Sequence, residues 1–236
     1  MWPWIAESGQ SLTYNQIYLI GIVFMVPQST PDQYITLTLR SLGYDQFEAN
    51  LLSIPNQFIS CFTLFAATWF SEFIGQRMLV ASTQNIWLLP CLIALRWWPG
   101  AGQVSSAWAT FALLTVLLST PYTHPINVSL CSRNSGSVRT RSVSAAFYNM
   151  CVQAGTIISS NIYRADDKPL YHRGNETLIG IDVLAIVLFV GAKVYYTWRN
   201  KQKEAKWSAM SEEEKSDYVA NTKDEGNKRL DFRFAS

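Results

Sequence analysis

Apolar residues in this chain are gathered into long uncharged runs. Residues 49–71, 78–95 and 142–163 contain no charged side chain, and residues 105–132 are interrupted only by His124. A helix rises about 1.5 Å per residue and needs roughly 20 mainly apolar residues to cross the hydrocarbon core, where a buried charge costs several kcal/mol. Runs of this length therefore predict membrane spans. A further run, residues 14–39, carries one acid, Asp32, and another, residues 177–196, carries Asp182 and a terminal Lys193 long enough to reach the headgroups. The pattern predicts an all-α membrane protein. Six transmembrane helices form a bundle over residues 15–198, preceded by a cytosolic segment over 1–14 and followed by a charged cytosolic tail over 199–236.

Bulk composition conceals this organisation. Mean hydropathy is barely positive, and the formal charge of +2 looks like that of a soluble enzyme. The charges are segregated, however: residues 199–236 hold 17 of the 36 charged side chains. The tail is read as a solvated appendage, and its near balance of 9 basic and 8 acidic residues argues against a nucleic-acid arm or a polybasic lipid anchor. Ser211 followed by Glu214 has the spacing of a capping box and predicts a short helix there. Cys61, Cys91, Cys131 and Cys151 all fall inside predicted spans without CxxC pairing, which fits small apolar packing residues. His124 and His172 are too few and too separated for a metal site. No P-loop, GxGxxG or nucleophile elbow occurs, so nothing supports an enzyme and no cofactor is called for. Residues 1–14 lack the basic leader and apolar core of a signal peptide.

Orientation follows from Lys and Arg near the span ends. With the amino terminus in the cytosol, the inner connections carry nine basic residues: Arg77, Arg133, Arg139, Arg141, Lys193, Arg199, Lys201, Lys203 and Lys206. The outer ones carry five, Arg40, Arg96, Arg164, Lys168 and Arg173, so both termini are expected inside. Aromatic residues mark the boundaries, with Trp97, Trp98 and Trp108 around the second outer turn and Tyr195, Tyr196 and Trp198 closing the last span.

Inside the membrane the first and fourth spans share a proline spacing, Pro27 with Pro31 and Pro121 with Pro125, three spans apart. Each proline removes a backbone donor, and carbonyls freed in lipid must find partners in protein or in a wet cavity. Two readings compete. Prolines bend packed helices, and Pro55 and Pro90 also sit in spans; alternatively, paired interruptions in a three-plus-three repeat flank a transport site. The polar company of the two pairs, Gln28, Asp32, Gln33, Tyr122, His124 and Asn127, favours the second, because lipid-facing residues are apolar. Asn149 and Gln153 share a face of the fifth span, where interhelical hydrogen bonding and substrate contact explain them equally.

Several runs carry a resemblance to a known family. Ser132-Arg133-Asn134-Ser135-Gly136-Ser137-Val138-Arg139-Thr140-Arg141, continuing through Ser144-Ala145-Ala146-Phe147-Tyr148-Asn149-Met150, is similar to the loop and eleventh span of fungal anion:cation symporters, the allantoate permease-like branch of the major facilitator superfamily. The tail from Asp224 to Phe234, Leu51-Leu52-Ser53-Ile54-Pro55 and Ile158-Ser159-Ser160-Asn161-Ile162-Tyr163-Arg164 resemble the same family. Glu72-Phe73-Ile74-Gly75-Gln76-Arg77 lies where the superfamily places an acidic-x-x-Gly-basic-basic latch near the cytosolic gate, with Gln76 in place of one basic residue.

The resemblance implies twelve spans in two six-helix halves, of which this chain looks like the carboxyl-terminal half of a proton-coupled carrier for small organic anions such as allantoate, ureidosuccinate, nicotinate or pantothenate. Substrate in such carriers is held between the halves, so half a transporter lacks one wall of its site. The expected partners are the lipid bilayer, a small organic anion with a proton, and the missing half or a second half-chain; nucleic acid is not among them. A truncated form of a transporter and a regulatory or inert half-chain both remain open. In the transporter reading Gln28, Gln33, Tyr122 and Asn127 donate hydrogen bonds to the anion, Asp32 or His124 takes up the proton, and Glu72 with Arg77 forms the gate pair. Asp32 near the outer water and His124 as a packing histidine are the bland alternatives. Asp182 is a further intramembrane acid, on a last span that is peripheral in this fold.

Overall fold

The computed structural model describes residues 12–98, 106–135, 138–167, 171–222 and 226–235. The expectations for the amino-terminal segment before Leu12, the Pro99 turn, Gly136 and Ser137, Lys168, and Asp224 with Glu225 lie outside them. Ten α-helices and no strand occur among the described residues. They are α1 (Leu12–Val23), α2 (Val26–Ser41), α3 (Gln46–Leu52), α4 (Ile54–Ile74), α5 (Arg77–Trp97), α6 (Ala107–Leu118), α7 (His124–Asn134), α8 (Val138–Ser159), α9 (His172–Ser208) and α10 (Glu212–Asn221).

Local chemistry sets these boundaries. Pro27, Pro55 and Pro125 sit in the first turns of α2, α4 and α7, where a missing N–H costs nothing. Asp45 and Glu48 close a capping box at the start of α3, and Ser211 with Glu214 does the same for α10, as their spacing predicts. Gly75 ends α4 with φ 69, a left-handed conformation that glycine adopts without steric cost, and turns the chain directly into α5.

Residues 46–74, 77–97 and 172–208 are long and apolar enough to cross a membrane, and α6 is a shorter apolar helix. On α4 the large side chains Phe58, Phe62, Phe65, Trp69 and Phe73 are all more than half exposed and recur every three or four residues along one face. A continuous aromatic stripe of this kind is unfavourable in water and, on a helix long and apolar enough to cross a membrane, suited to lipid or to an apolar partner. The chain is an all-helical membrane protein.

Inside, α9 packs along α5, and α1 packs against both α8 and α9. One apolar cluster centres on Phe24, Tyr148, Phe189 and Tyr196, the other on Leu39, Leu88, Leu92, Leu117 and Leu178. Of the four cysteines, Cys91, Cys131 and Cys151 are buried as expected, whereas Cys61 is exposed on the outer face of α4. The α1–α8 contact depends on small residues. A Cβ on Gly155 would overlap the carbonyl oxygen of Ile22, and one on Gly21 would sit 2.9 Å from the Tyr148 ring. Gly155→Leu therefore forces two backbones apart, and overpacking of a tight contact typically costs about 1–3 kcal/mol. The expected result is a lower yield of monodisperse protein in detergent than Ala154→Leu gives, since Ala154 faces outward; equal yields would mean that the helices separate without penalty.

The tail differs from its expected solvated state. α9 runs on to Ser208, and the chain then folds back through α10 so that residues 226–235 dock on the ends of α7 and α9. Two asparagine side chains each bond both the N–H and the carbonyl of one tail residue. Asn200 accepts from the Phe234 N–H and donates to the Phe234 carbonyl, both at 2.8 Å. Asn134 accepts from the Ala235 N–H at 2.8 Å and donates to the Ala235 carbonyl at 3.2 Å. Lys203 donates to the carbonyls of Asn227 and Arg229 and lies over the rings of Phe232 and Phe234. Phe234 is buried against Tyr196, their rings stacked at 5.4 Å. Tyr196 is thus a dock for the tail rather than an anchor in the membrane interface. Charge alone obscured this, because the apolar and hydrogen-bonding residues that do the docking are scattered among the ions.

Candidate functional site

The two predicted interruptions differ: α2 runs unbroken through Pro31, with the chain turning just ahead of Pro27, whereas the segment around Pro121 is non-helical. Phe24 and Met25 separate α1 from α2, and residues 119–123 separate α6 from α7. Freed backbone groups at the second break are taken up from neighbouring helices. Ser60 on α4 donates to the Leu118 carbonyl at 2.8 Å, and the Thr63 hydroxyl reaches the carbonyls of Ser119 and Thr120 at 3.1 and 3.3 Å. Trp87 on α5 donates its indole N–H to the Val116 carbonyl at 2.9 Å. This is the accounting that an unwound segment at membrane depth requires.

The two breaks are joined through Gln84, a fully buried residue in the middle of α5. Its Oε1 accepts from the Thr123 N–H at 2.9 Å and lies 2.9 Å from the Thr123 hydroxyl, which also reaches the Ala81 carbonyl at 3.0 Å. Its Nε2 donates to Gln28 Oε1 at 2.9 Å on the other side. One amide therefore holds the break between α6 and α7 to the first turn of α2.

Around this link the structure gathers some of the sequence-predicted residues and separates others. Gln28 is half-buried and bonded to Gln84. His124 and Tyr122 lie together, ring centroids 5.8 Å apart, and His124 stacks between Phe24 at 6.2 Å and Tyr148 at 5.7 Å. Among the described residues the buried Nδ1 of His124 has no partner. Asn127 is buried and faces Tyr148, yet neither its Nδ2 nor the Tyr148 hydroxyl closes a hydrogen bond of normal length. Gln28, Tyr122, His124 and Asn127 thus share one region. Gln33 lies apart, donating to Ser159 Oγ at 3.0 Å on α8, and Asp32 is exposed. Glu72 and Arg77 pair across the α4–α5 turn, with Arg77 Nη2 2.6 Å from both carboxylate oxygens, and the Arg77 guanidinium is much the more buried partner. Gln76, standing where the latch pattern has a basic residue, accepts a hydrogen bond from Lys193 on α9.

Sequence reasoning missed Gln84 and Asn85 altogether. Their signal was present: two adjacent amides in the middle of an otherwise apolar run from Met78 to Leu95. Asn85 is fully buried and donates to Asp182 Oδ1 on α9 at 2.7 Å and to the Phe24 carbonyl at 3.2 Å. Asp182, placed on a helix expected to be peripheral, is itself fully buried in the bundle. It faces inward because α9 packs along α5 over most of its apolar length.

The chain is similar to yeast proteins named as uncharacterized transporters. It is 46% identical over 215 residues to YOL162W of Saccharomyces cerevisiae, a match covering 91% of this chain and 99% of that protein. It is 41% identical over 218 residues to YIL166C of the same yeast, covering 92% of this chain and 40% of the relative. A Schizosaccharomyces pombe transporter, C417.10, is 24% identical over 224 residues, covering 92% of this chain and 42% of that protein. The chain thus spans nearly all of one relative and about two fifths of the other two. No family model matches the chain, and no solved structure matches it. High identity to YOL162W over almost the whole of both chains, on a lipid-suited helical bundle with two joined helix breaks, places the protein plainly: it belongs to the family of uncharacterized yeast transporters represented by these proteins.

Proposed function

We propose that the chain forms the six-span equivalent of the carboxyl half of a major facilitator carrier of the anion:cation symporter, allantoate permease-like branch, importing a small organic anion with a proton across the plasma membrane. The observation that carries this reading is the Gln84 link between the first-span and fourth-span breaks, with unpaired buried polar groups beside it. Interrupted helices at corresponding positions of two three-helix repeats are where carriers bind substrate. Gln28, Tyr122 and Asn127 are positioned to line one wall of such a site, with Gln33 further along α2 toward α8. His124 and Asp32 are the expected proton-coupling groups: Asp32 is exposed, whereas the Nδ1 of His124 is buried without a partner among the described residues and has a lone pair or proton unsatisfied. Glu72 and Arg77 act as the gate pair. The excess of basic residues on one set of connections supports both termini in the cytosol.

Uptake in yeast tests this. Expressed alone in a permease-deficient strain, the chain should reach the membrane without restoring proton-dependent accumulation of allantoate, ureidosuccinate, nicotinate or pantothenate. Joined to the part of YIL166C outside the match, it should restore uptake of at least one of them. A joined protein that inserts and transports none of these overturns the substrate class. A second reading, a half-chain that pairs with or regulates a full-length carrier, is favoured by the near-complete coverage of YOL162W; uptake by the chain alone would select an assembly of half-chains over the joined carrier.

A further inference from the structure

The buried acid on α9 has chemistry that the transport site above does not use. Asp182 has no exposed surface, and Asn85 Nδ2 at 2.7 Å is its one hydrogen-bond donor among the described residues. Two atoms of this pair are orphaned in the interior, Asp182 Oδ2 and Asn85 Oδ1. As a carboxylate, Asp182 would offer only acceptors to a neighbour whose free atom is also an acceptor, and a buried charge without a counter-charge costs several kcal/mol.

Among the described residues no cation approaches to offset it. The main elements packed against α9 among those residues are α5, α1, α2, the short helical turn Ala165–Asp167 and, beyond Lys193, the docked tail residues 226–235. On α5 the charged groups stand at the ends, Arg77 bonded to Glu72 and Arg96 bonded to Glu176. The described side chains of α1 include no ion, and Tyr18 is its titratable group. On α2, Asp32 and Arg40 are exposed. Asp166 and Asp167 face Arg173. Along α9 itself, His172, Arg173 and Glu176 lie in the first turns, Lys193, three turns beyond Asp182, bonds to Gln76, and the ions from Arg199 to Lys206, with those of the docked tail, lie more than four turns beyond Asp182.

We propose that Asp182 is a proton-binding site, occupied in the arrangement described, in which the acid and the Asn85 amide form a doubly hydrogen-bonded pair. One proton on Oδ2 turns that oxygen into a donor, and its partner is the orphaned Asn85 Oδ1; the existing Asn85-to-Oδ1 bond supplies the other half of the pair. Both orphans are satisfied by a single proton. The remaining hydrogen of the Asn85 amide goes to the Phe24 carbonyl at 3.2 Å, at the break between α1 and α2. Loss of the proton removes one bond and introduces a charge, and Asn85 is the group positioned to answer by leaving Phe24. Proton occupancy on α9 is in this way transmitted to the α1–α2 break, next to Gln28. That last link, to coupling, rests on the transporter reading; the proton site does not.

Infrared difference spectroscopy on the full chain in phosphatidylcholine vesicles tests the site without substrate. Stepping the pH should change a protonated-carboxyl band that Asp182→Asn loses entirely, and Asn85→Leu should shift the frequency of that band toward a singly bonded or free acid. Identical pH-difference spectra for wild type and Asp182→Asn would overturn the proposal. If Asp182→Asn fails to fold, Asn85→Leu decides alone: an unshifted carboxyl band overturns the paired acid. A wild type that shows the band while the joined carrier transports nothing would retain the proton site and dismiss the transport reading. Where transport is restored, Asp182→Asn should still exchange substrate but lose proton-driven accumulation; unchanged accumulation would separate the site from coupling and overturn that link.

Discussion

Gln84→Leu should be among the most damaging substitutions in this protein. Leucine fills the volume but leaves the Thr123 N–H and the Gln28 amide oxygen without their partners in the interior, while the Thr123 hydroxyl retains the Ala81 carbonyl. A buried polar group deprived of its partner costs about 1–3 kcal/mol, which applies in full to the buried Thr123 N–H and in part to the half-buried Gln28 oxygen. An ordinary interhelical hydrogen bond in a membrane protein averages only about 0.6 kcal/mol, because the groups find other partners when the helices separate. The two figures decide between roles. Thermal unfolding in detergent, monitored by loss of monodispersity, should place Gln84→Leu well below Thr83→Leu, a neighbour whose hydroxyl bonds only within its own helix. A shift no larger than the control would mean that Gln84 is one contact among many and does not hold the two breaks together. The same variant in the joined carrier should lose uptake disproportionately to its abundance, since the wall formed by α2 and α7 depends on this link.

Phe234→Ala should release the tail. A buried Phe truncated to Ala costs about 3–5 kcal/mol, which is comparable to what a short docked segment gains in total. The rest of the dock is built on the position of that ring: the two Asn200 bonds fix its peptide, and Lys203 packs over its face. The expected outcome is local. Trypsin should cut at Lys228, Arg229 and Arg233 far faster in the variant than in wild type, while the membrane bundle keeps its thermal midpoint. Asn200→Ala should give the same pattern in weaker form, because it removes hydrogen bonds without removing the apolar anchor. Unchanged cleavage in both would show that residues 226–235 are held by something other than Phe234 and Asn200.

What the sequence by itself determined is the class of solvent and the punctuation of the chain. Uncharged runs of about 20 residues have few other physical explanations, so the helical, membrane-suited character of the chain was legible directly, as were the non-helical segment at Pro121, the Gly75 turn and the Ser211–Glu214 cap, each of which acts through its own backbone or within one helical turn. The gathering of Gln28, Tyr122, His124 and Asn127 was legible only as a guess from polar company near those breaks. Tertiary structure alone decided that Gln84 joins the breaks, that Asn85 meets Asp182, that Gln33 turns to Ser159, and that the charged tail hides a buried aromatic. The reason is the same in each case. A polar residue in an apolar run announces that it needs a partner, but in a bundle where every helix offers several faces, the partner is chosen by which helices pack together and at what rotation. That choice is made by the sum of many weak contacts, among them the close approach of Gly155 to the Ile22 carbonyl, and no single position in the sequence carries it.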